Sequence, residues 1–129
     1  MSLNFDTSNI EEMYLIFRDC ISLKSLSIGS SSFNTNKFND MFGMLKNNGL
    51  ESIDISSFDT KKVTDMRDLF VNYTSLKQIN LNNFNTENLI YINGMLEGCI
   101  LLESLNLSNF NTKKIEDARH LLKEMDVLI

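Results

Sequence analysis

The three-residue motif Phe-Asn-Thr or Phe-Asp-Thr occurs five times in this sequence, at intervals of 28, 25, 26 and 26 residues. Its phenylalanines, called the motif phenylalanines below, are Phe5, Phe33, Phe58, Phe84 and Phe110. Self-similarity at a period of roughly 20–50 residues is typical of repeat proteins, in which each unit buries its apolar face by stacking on its neighbours. The sequence therefore predicts a single repeat domain over residues 1–129, with one unit starting at each motif phenylalanine.

The first half of each unit predicts an amphipathic helix of about three turns. Most units carry apolar residues at offsets +5, +8, +11, +12 and +15 from the motif phenylalanine, which is the spacing of one helix face. In the third unit these residues are Val63, Met66, Leu69, Phe70 and Tyr73. The motif threonines stand where a helix N-cap belongs, with the preceding Asp or Asn as the alternative cap; they are Thr7, Thr35, Thr60, Thr86 and Thr112.

The second half of four units follows the pattern L-x-x-[LI]-x-[LI], which is the strand half of a leucine-rich repeat. The four segments are residues 23–28, 50–55, 76–81 and 102–107. Helices and strands that alternate through short connections make parallel strands with right-handed crossovers. We therefore expect an α/β fold, a right-handed leucine-rich-repeat-like solenoid with four short parallel strands on one face and five helices on the other. The motif phenylalanines should form a stacked column, because burial of each is worth roughly 1.5–3 kcal/mol.

Composition and charge narrow the classes of function. The formal net charge is −5, which argues against a nucleic-acid binder because such proteins cluster Lys and Arg. No apolar run reaches the roughly 18 residues of a membrane span. The single histidine, His120, lacks partners at the spacing of a catalytic triad or a zinc site. We expect no catalytic, cofactor-binding or metal-binding residues, and no cavity that joins His120 with two carboxylates as a hydrolase would need.

The two cysteines, Cys20 and Cys99, occupy the same offset three units apart. Neighbouring strands lie about 4.8 Å apart, so these residues should be roughly 14 Å apart. A disulfide requires Cα atoms within about 7 Å of each other. Both cysteines are therefore predicted to be free thiols buried on the inner face.

Polar residues that point outward from the predicted strands form a candidate binding face. In its first column lysine and glutamate alternate, so each charge should lie beside an opposite charge on the neighbouring strand. Two interpretations remain open, a solvated face whose charges satisfy one another and a concave binding surface. The face has no aromatic residues, which are the usual hot spots of tight protein interfaces. Its residues are Lys24, Glu51, Asp54, Lys77, Gln78, Asn80, Glu103 and Asn106.

A second candidate surface consists of apolar residues outside the buried stripe. Ile90 points away from the buried face of its predicted helix and is the better contact residue. Packing between adjacent helices is the alternative explanation for the flanking residues Tyr14, Phe42 and Tyr91.

The end of the sequence coincides with an incomplete unit. Leu128 stands where a fifth strand would begin. Either the chain is a piece of a longer array, which we favour because a terminal cap usually departs from the repeat pattern, or the last helix caps the sheet. Exposed sheet edges in such a piece would invite self-association.

The full repeat pattern, F-[ND]-T-x-x-[VIL]-x-x-M-x-x-[LM]-[FL]-x-x-C-x-x-L-x-S-L-x-L-S-x-F, resembles the BspA-like leucine-rich repeats. It is most similar to the mycoplasma-type lipoprotein repeat family of unknown function. The best-matching stretches are residues 58–66 and 99–110. The resemblance implies a surface-exposed or secreted bacterial protein that acts in adhesion or binding, and it carries no catalytic residues. The chain departs from the pattern at Tyr73, at Ala118 and in the short second unit.

These observations predict a non-enzymatic protein-interaction or adhesion module of a bacterial surface or secreted protein. Its partner would be a protein or another ligand on a host or cell surface, not a nucleic acid. Membrane attachment would come only through an anchor outside this chain. The alternatives are a structural spacer and an intracellular interaction module.

Overall fold

The computed structural model describes residues 6–28 and 33–125. Two short strands, β1 (Ser25–Ser27) and β2 (Ser52–Asp54), pair in parallel. Ser25 pairs with Ser52 and Ser27 with Asp54, which confirms the predicted register of the first two units. The four predicted strands are reduced to these two within the described residues. Between the third and fourth units a hydrogen bond from the Glu103 N–H to the Lys77 carbonyl, 2.9 Å long, takes the place of strand pairing.

The prediction of five helices is wrong, and with it the prediction of an α/β solenoid with helices on one face. In the described residues the chain forms no helix, and each predicted helix is a series of turns. Two positions in every unit have a positive φ, which a right-handed helix excludes. At offset +10 these residues are Leu15, Gly43, Asp68, Gly94 and His120; at offset +14 they are Asp19, Asn47, Asn72, Gly98 and Glu124.

Each positive φ belongs to a tight turn. In the fourth unit the Met95 N–H donates to the Ile92 carbonyl at 3.2 Å, and Gly94, with φ 66°, is the third residue of that turn. A type II turn requires a positive φ at this position. The next turn is closed by Cys99 and Leu96 in the same way, with Gly98 third. The apolar residues therefore reach the core from successive turns and not from one helix face.

Hydrogen bonds between units replace those of a helix. In the first four units the N–H groups at offsets +8, +10, +12 and +14, except that of Leu45, donate to the carbonyls at +7, +9, +11 and +13 of the next unit. The fourth unit shows the full set: Ile92 to Asp117 (2.9 Å), Gly94 to Arg119 (2.9 Å), Leu96 to Leu121 (3.1 Å) and Gly98 to Lys123 (2.9 Å). Buried backbone groups need partners, and here the neighbouring unit supplies them. At these four offsets the earlier unit donates, whereas at offset +6 the later unit donates, as from the Thr64 N–H to the Asn39 carbonyl at 2.9 Å.

The motif phenylalanines form the predicted column. Phe58 stacks on Phe33 with ring centroids 6.1 Å apart and on Phe84 with centroids 6.4 Å apart. All three are buried, whereas Phe110 is half-buried. Phe5 lies outside the described residues. Ring stacking in this column joins the second, third and fourth units.

The motif threonines clamp adjacent units, and the prediction that they cap helices is wrong. The Thr60 hydroxyl donates to the Asn85 carbonyl at 3.0 Å and accepts the Asn85 N–H at 2.8 Å. Thr7, Thr35 and Thr86 make the same pair of bonds to the next unit, and all four are buried. The preceding Asn or Asp closes a local turn, as when Asp59 accepts the Lys61 N–H at 3.0 Å.

The short second unit is accommodated by a glycine. A Cβ placed on Gly49 would lie 2.1 Å from the carbonyl oxygen of Ile21 in the unit before. This close approach lets Leu50 enter the core column one residue early, where it is fully buried. The deletion therefore shortens a turn and leaves the stack in register.

Substitutions at offset +10 distinguish these turns from a helix. Gly94→Ala is expected to lower the free energy of unfolding by about 1–2 kcal/mol, because alanine disfavours a positive φ; its Cβ would also meet Asp68 Oδ1 at 2.4 Å. His120→Gly is expected to raise it by about 1 kcal/mol, whereas His120→Ala should not. Denaturant titration measures all three. In a helix the order would be reversed, since glycine is about 1 kcal/mol worse than alanine there.

Candidate functional site

The predicted binding face contains a shallow depression of about 640 Å³. Five of the eight predicted residues line it: Glu51, Lys77, Gln78, Asn80 and Glu103. The other three, Lys24, Asp54 and Asn106, do not line it. Ser52, Ser104 and two isoleucines complete the lining.

The two isoleucines, Ile53 and Ile79, give the depression an apolar base. Both are half-buried and pack against the core cluster, while the charged residues around them are exposed. Each is the central apolar residue of its L-x-x-[LI]-x-[LI] segment, and neither was among the residues predicted for the binding face. At the same position of their segments Leu26 and Leu105 are buried, so the half-open position is confined to the second and third units.

The charges on this face are only partly paired. Lys24 Nζ lies 3.5 Å from Glu51 Oε1, and both side chains are about two-thirds exposed, so the pair contributes little stability. Within the described residues, Lys77 and Glu103 form no ion pair. Hydrogen bonds from Ser56 lower the pKa of Asp54. The depression therefore presents one cation, Lys77, and two anions, of which Glu51 is in an exposed pair with Lys24 and Glu103 has no ion pair among the described residues.

On another side of the stack, Arg67 lies between two aromatic rings. Its guanidinium carbon is 5.1 Å from the centroid of Phe42 and 5.4 Å from that of Tyr91. Its Nε donates to Asp65 Oδ2 at 2.8 Å, and this hydrogen bonding raises the pKa of Arg67. The cluster joins the second, third and fourth units through cation–π contacts. It accounts structurally for Phe42 and Tyr91, two of the residues that formed the second candidate surface.

Ile90, the predicted contact residue of that surface, is half-buried. Its N–H donates to Thr64 and its carbonyl accepts the N–H of Glu116. The backbone of Ile90 thus forms part of the stack.

The expectation that no cavity joins His120 with two carboxylates is wrong. A cavity of about 230 Å³ is lined by His120, Asp68 and Glu97 among others. His120 Nδ1 lies 3.8 Å from Glu97 Oε2. Each carboxylate already has a cation, because Lys46 binds Asp68 at 2.7 Å and Lys123 binds Glu97 at 2.9 Å.

The chemistry of this cavity does not match general acid–base catalysis. The hydrogen bond from Lys123 lowers the pKa of Glu97, whereas a catalytic acid or base works best with a pKa near the working pH. His120 is also 65% exposed at its side chain. The cavity is best explained as the space beside two ion pairs, one that joins the second and third units and one that joins the fourth and fifth.

The two cysteines are free thiols, as predicted, but the prediction that both are buried is wrong for Cys20. Cys99 is buried and Cys20 is half-buried. The Cys99 thiol donates to the Phe70 carbonyl at 3.2 Å, and burial raises its pKa to about 11.

Alkylation of the native protein should therefore separate the two thiols. At pH 8 only about one part in a thousand of Cys99 is thiolate, given its pKa of about 11, and the thiolate is the reactive form. Mass spectrometry after iodoacetamide treatment should show Cys20 modified well before Cys99, with similar rates once the chain is unfolded in guanidinium. Equal rates in the native protein would contradict this assignment.

Two absences hold for the part of the chain that the structure describes. No helix there is long and apolar enough to cross a membrane. No group of three or more His, Cys, Asp or Glu side chains there could hold a metal ion.

Comparison with known families accounts for nearly the whole chain. A family model described as Mycoplasma protein of unknown function, DUF285, matches residues 2–50 and 46–128. The chain belongs to this family. No curated protein and no solved structure matches the chain. DUF285 membership agrees with the mycoplasma-type repeat family that the sequence pattern resembles.

Proposed function

We propose that this DUF285 chain is a non-enzymatic binding module. Its partner is a protein on a host or other cell surface, and this partner docks into the depression of about 640 Å³ on the strand face. The observation that carries the proposal is the combination of an apolar base with a rim of exposed charges. Protein interfaces commonly have an apolar centre within a polar rim. The rim fixes the register of a partner through charge complementarity.

The partner should carry charges complementary to this rim. A cation at Lys77 lies between anions at Glu51 and Glu103 along the stack. A matching ligand therefore presents an anion flanked by two cations, with an apolar group at its centre for Ile53 and Ile79. Affinity is expected to be modest, because the depression lacks aromatic residues.

We propose a location on the bacterial surface or outside the cell. The support is the similarity of the repeat pattern to BspA-like repeats, whose members are mostly surface-exposed or secreted and act in adhesion. The attachment to a membrane would come from an anchor outside this chain.

An exchange of charges tests the binding face without altering net charge. The double variant Lys77→Glu with Glu103→Lys keeps two opposite charges on adjacent units but reverses the pattern that a partner meets. Binding of the labelled chain to cultured host cells should be saturable, and the exchange should weaken it at least about tenfold, since like charges then face each other.

The chain offers a matched control on another side of the stack. Lys61 and Glu87 are likewise exposed and stand on the same adjacent units. Exchange of their charges should leave binding unchanged. Equal binding by the Lys77–Glu103 exchange and the native chain would refute the proposed face, and absence of saturable binding would favour a structural spacer.

A further inference from the structure

Stacked turns form a narrow ridge along one edge of the structure. In every unit the N–H at offset +5 donates to the carbonyl of the motif threonine, as from Val63 to Thr60 at 3.0 Å. The residues at offsets +3 and +4 are therefore the central residues of a tight turn. Neighbouring turns are joined by hydrogen bonds, because Lys114 Nζ donates to Asn88 Oδ1 at 2.7 Å and Asn88 Nδ2 donates to the Lys61 carbonyl at 2.8 Å. These central turn residues, called the lysine ridge below, are residues 8–9, 36–37, 61–62, 87–88 and 113–114.

Positive charge is concentrated on the lysine ridge. Five of its ten residues are lysines and one, Glu87, is acidic, so the ridge carries a charge of +4. The remainder of the chain carries −9, because the formal net charge of the whole chain is −5. The fold thus brings nearly half of the 12 basic residues into a strip two residues wide. All five lysines are exposed; they are Lys37, Lys61, Lys62, Lys113 and Lys114.

The lysines of the ridge differ from the other basic residues in their lack of acidic partners. Of the seven basic residues elsewhere in the chain, six form an ion pair, as Lys46 does with Asp68 at 2.7 Å. Among the described residues, no lysine of the ridge forms one. Lys37 Nζ instead donates to the neutral amide of Asn9 at 2.9 Å. Such a bond orients the ammonium group without neutralising it, so the charge remains available to an anionic partner.

The shape of the ridge favours a thin, linear partner. Neighbouring units are about 4.8 Å apart, so the lysines extend over about 14 Å from the second unit to the fifth. A flat bilayer or a DNA duplex would also meet the exposed acidic residues that flank the ridge two positions away, within the Debye length of about 8 Å. A single polymer chain can contact the ridge alone. The flanking residues are Asp6, Glu11, Asp59 and Glu116.

The residue types of the ridge narrow the class of linear anion. None of the ten is aromatic or apolar, so the ridge lacks the side chains that stack on the bases of single-stranded nucleic acids or insert into lipid. Lysine-rich patches bind polyanions through charge alone. Five lysines within about 14 Å suit a chain with several anionic groups per disaccharide, which sulfation provides.

We propose that the lysine ridge binds a linear sulfated polysaccharide, through ion pairs between sulfate groups and the lysine ammonium groups. The contact uses an edge of the stack that is separate from the depression on the strand face, so it is independent of the proposed function. Such binding releases counterions from the polymer, and its affinity therefore falls steeply as the salt concentration rises.

Titration of fluorescently labelled heparin with the 129-residue chain tests the ridge. Binding should be saturable and should weaken about 10–100-fold between about 50 and about 200 mM salt. The double variant Lys61→Gln with Lys62→Gln should bind heparin at least about tenfold more weakly than the native chain, because two of the five cations are lost. Lys113→Gln with Lys114→Gln should have a similar effect. All four side chains are exposed, so circular dichroism should show an unchanged fold.

Two control variants separate the ridge from the overall charge. Arg18→Gln with Lys123→Gln removes the same net charge from cations that already have acidic partners, so heparin binding should change less than about twofold. Exchange of the charges of Lys61 and Glu87 keeps the ridge at +4 and should likewise leave heparin binding unchanged, because counterion release depends on the number of charges. Soluble heparin added to the cell-binding assay occupies the ridge, so the depression can be tested separately.

The proposal would be overturned by heparin binding of the Lys61–Lys62 variant that equals that of the native chain, or by no saturable binding at about 50 mM salt. Equal affinity for hyaluronan, which carries carboxylates but no sulfate, would overturn the assignment to sulfated chains. Equal affinity for vesicles that contain phosphatidylserine, or for a short DNA duplex, would assign the ridge to a membrane or a nucleic acid instead.

Discussion

Phe58→Ala is expected to lower the free energy of unfolding by about 3–5 kcal/mol, the largest effect of any single substitution considered for this chain. The ring is 3% exposed and lies between Phe33 and Phe84 in a continuous stack. Its removal would leave a cavity and break two stacking contacts at once. Chemical denaturation followed by circular dichroism measures the loss.

The chain supplies its own control at the end of the same column. Phe110 is half-buried, and no described unit follows it. Phe110→Ala is expected to cost about 1–2 kcal/mol, because less apolar area leaves the core. A loss at Phe58 no larger than that at Phe110 would show that the column does not hold the stack together.

The repeat period allowed much of the stack to be predicted from sequence. Recurrence of the motif at nearly constant intervals placed the phenylalanine column, the inward residues and the pairing of Ser25 with Ser52. Each of these follows from a unit that must bury the same positions against an identical neighbour. These predictions did not depend on the backbone conformation between those positions.

The backbone conformation between those positions was predicted wrongly, because the spacing of apolar residues that is typical of a helix also occurs in successive turns. A succession of tight turns brings offsets +5, +8, +11 and +12 to the same side. The missed evidence was at offsets +10 and +14, where Gly43, Gly94, Asn47, Asn72 and Gly98 recur. Glycine and asparagine favour a positive φ, and their recurrence in the middle of a predicted helix marks turns.

Part of the candidate site could be predicted from the sequence. Strand register was enough to place Lys77 and Glu103 on adjacent units, and both line the depression. The half-open positions of Ile53 and Ile79 could not be predicted, because Leu26 and Leu105 occupy the same position of the repeat and are buried. The cavity beside His120 depends on the turn at offset +10, so the error about helices extended to that prediction as well.

The second large effect is expected at a motif threonine, where the sequence predicted a helix cap and the structure shows a clamp. Thr60→Val preserves shape but leaves the Asn85 N–H and carbonyl without their partner. An unpaired buried polar group costs about 1–3 kcal/mol. Because Asn85 is half-buried, the total should lie near 2–3 kcal/mol.

Two further variants assign this loss to the hydroxyl. Thr60→Ser keeps both hydrogen bonds and should cost only about 1 kcal/mol for the lost methyl group. Thr112→Val changes the same motif position where the hydroxyl is exposed and unpaired within the described residues, so it should change stability by less than about 0.5 kcal/mol. Denaturant titration at a concentration where the chain is monomeric compares all three. If every motif threonine acted as a helix cap, Thr60→Val and Thr112→Val would instead cost the same, about 1 kcal/mol each.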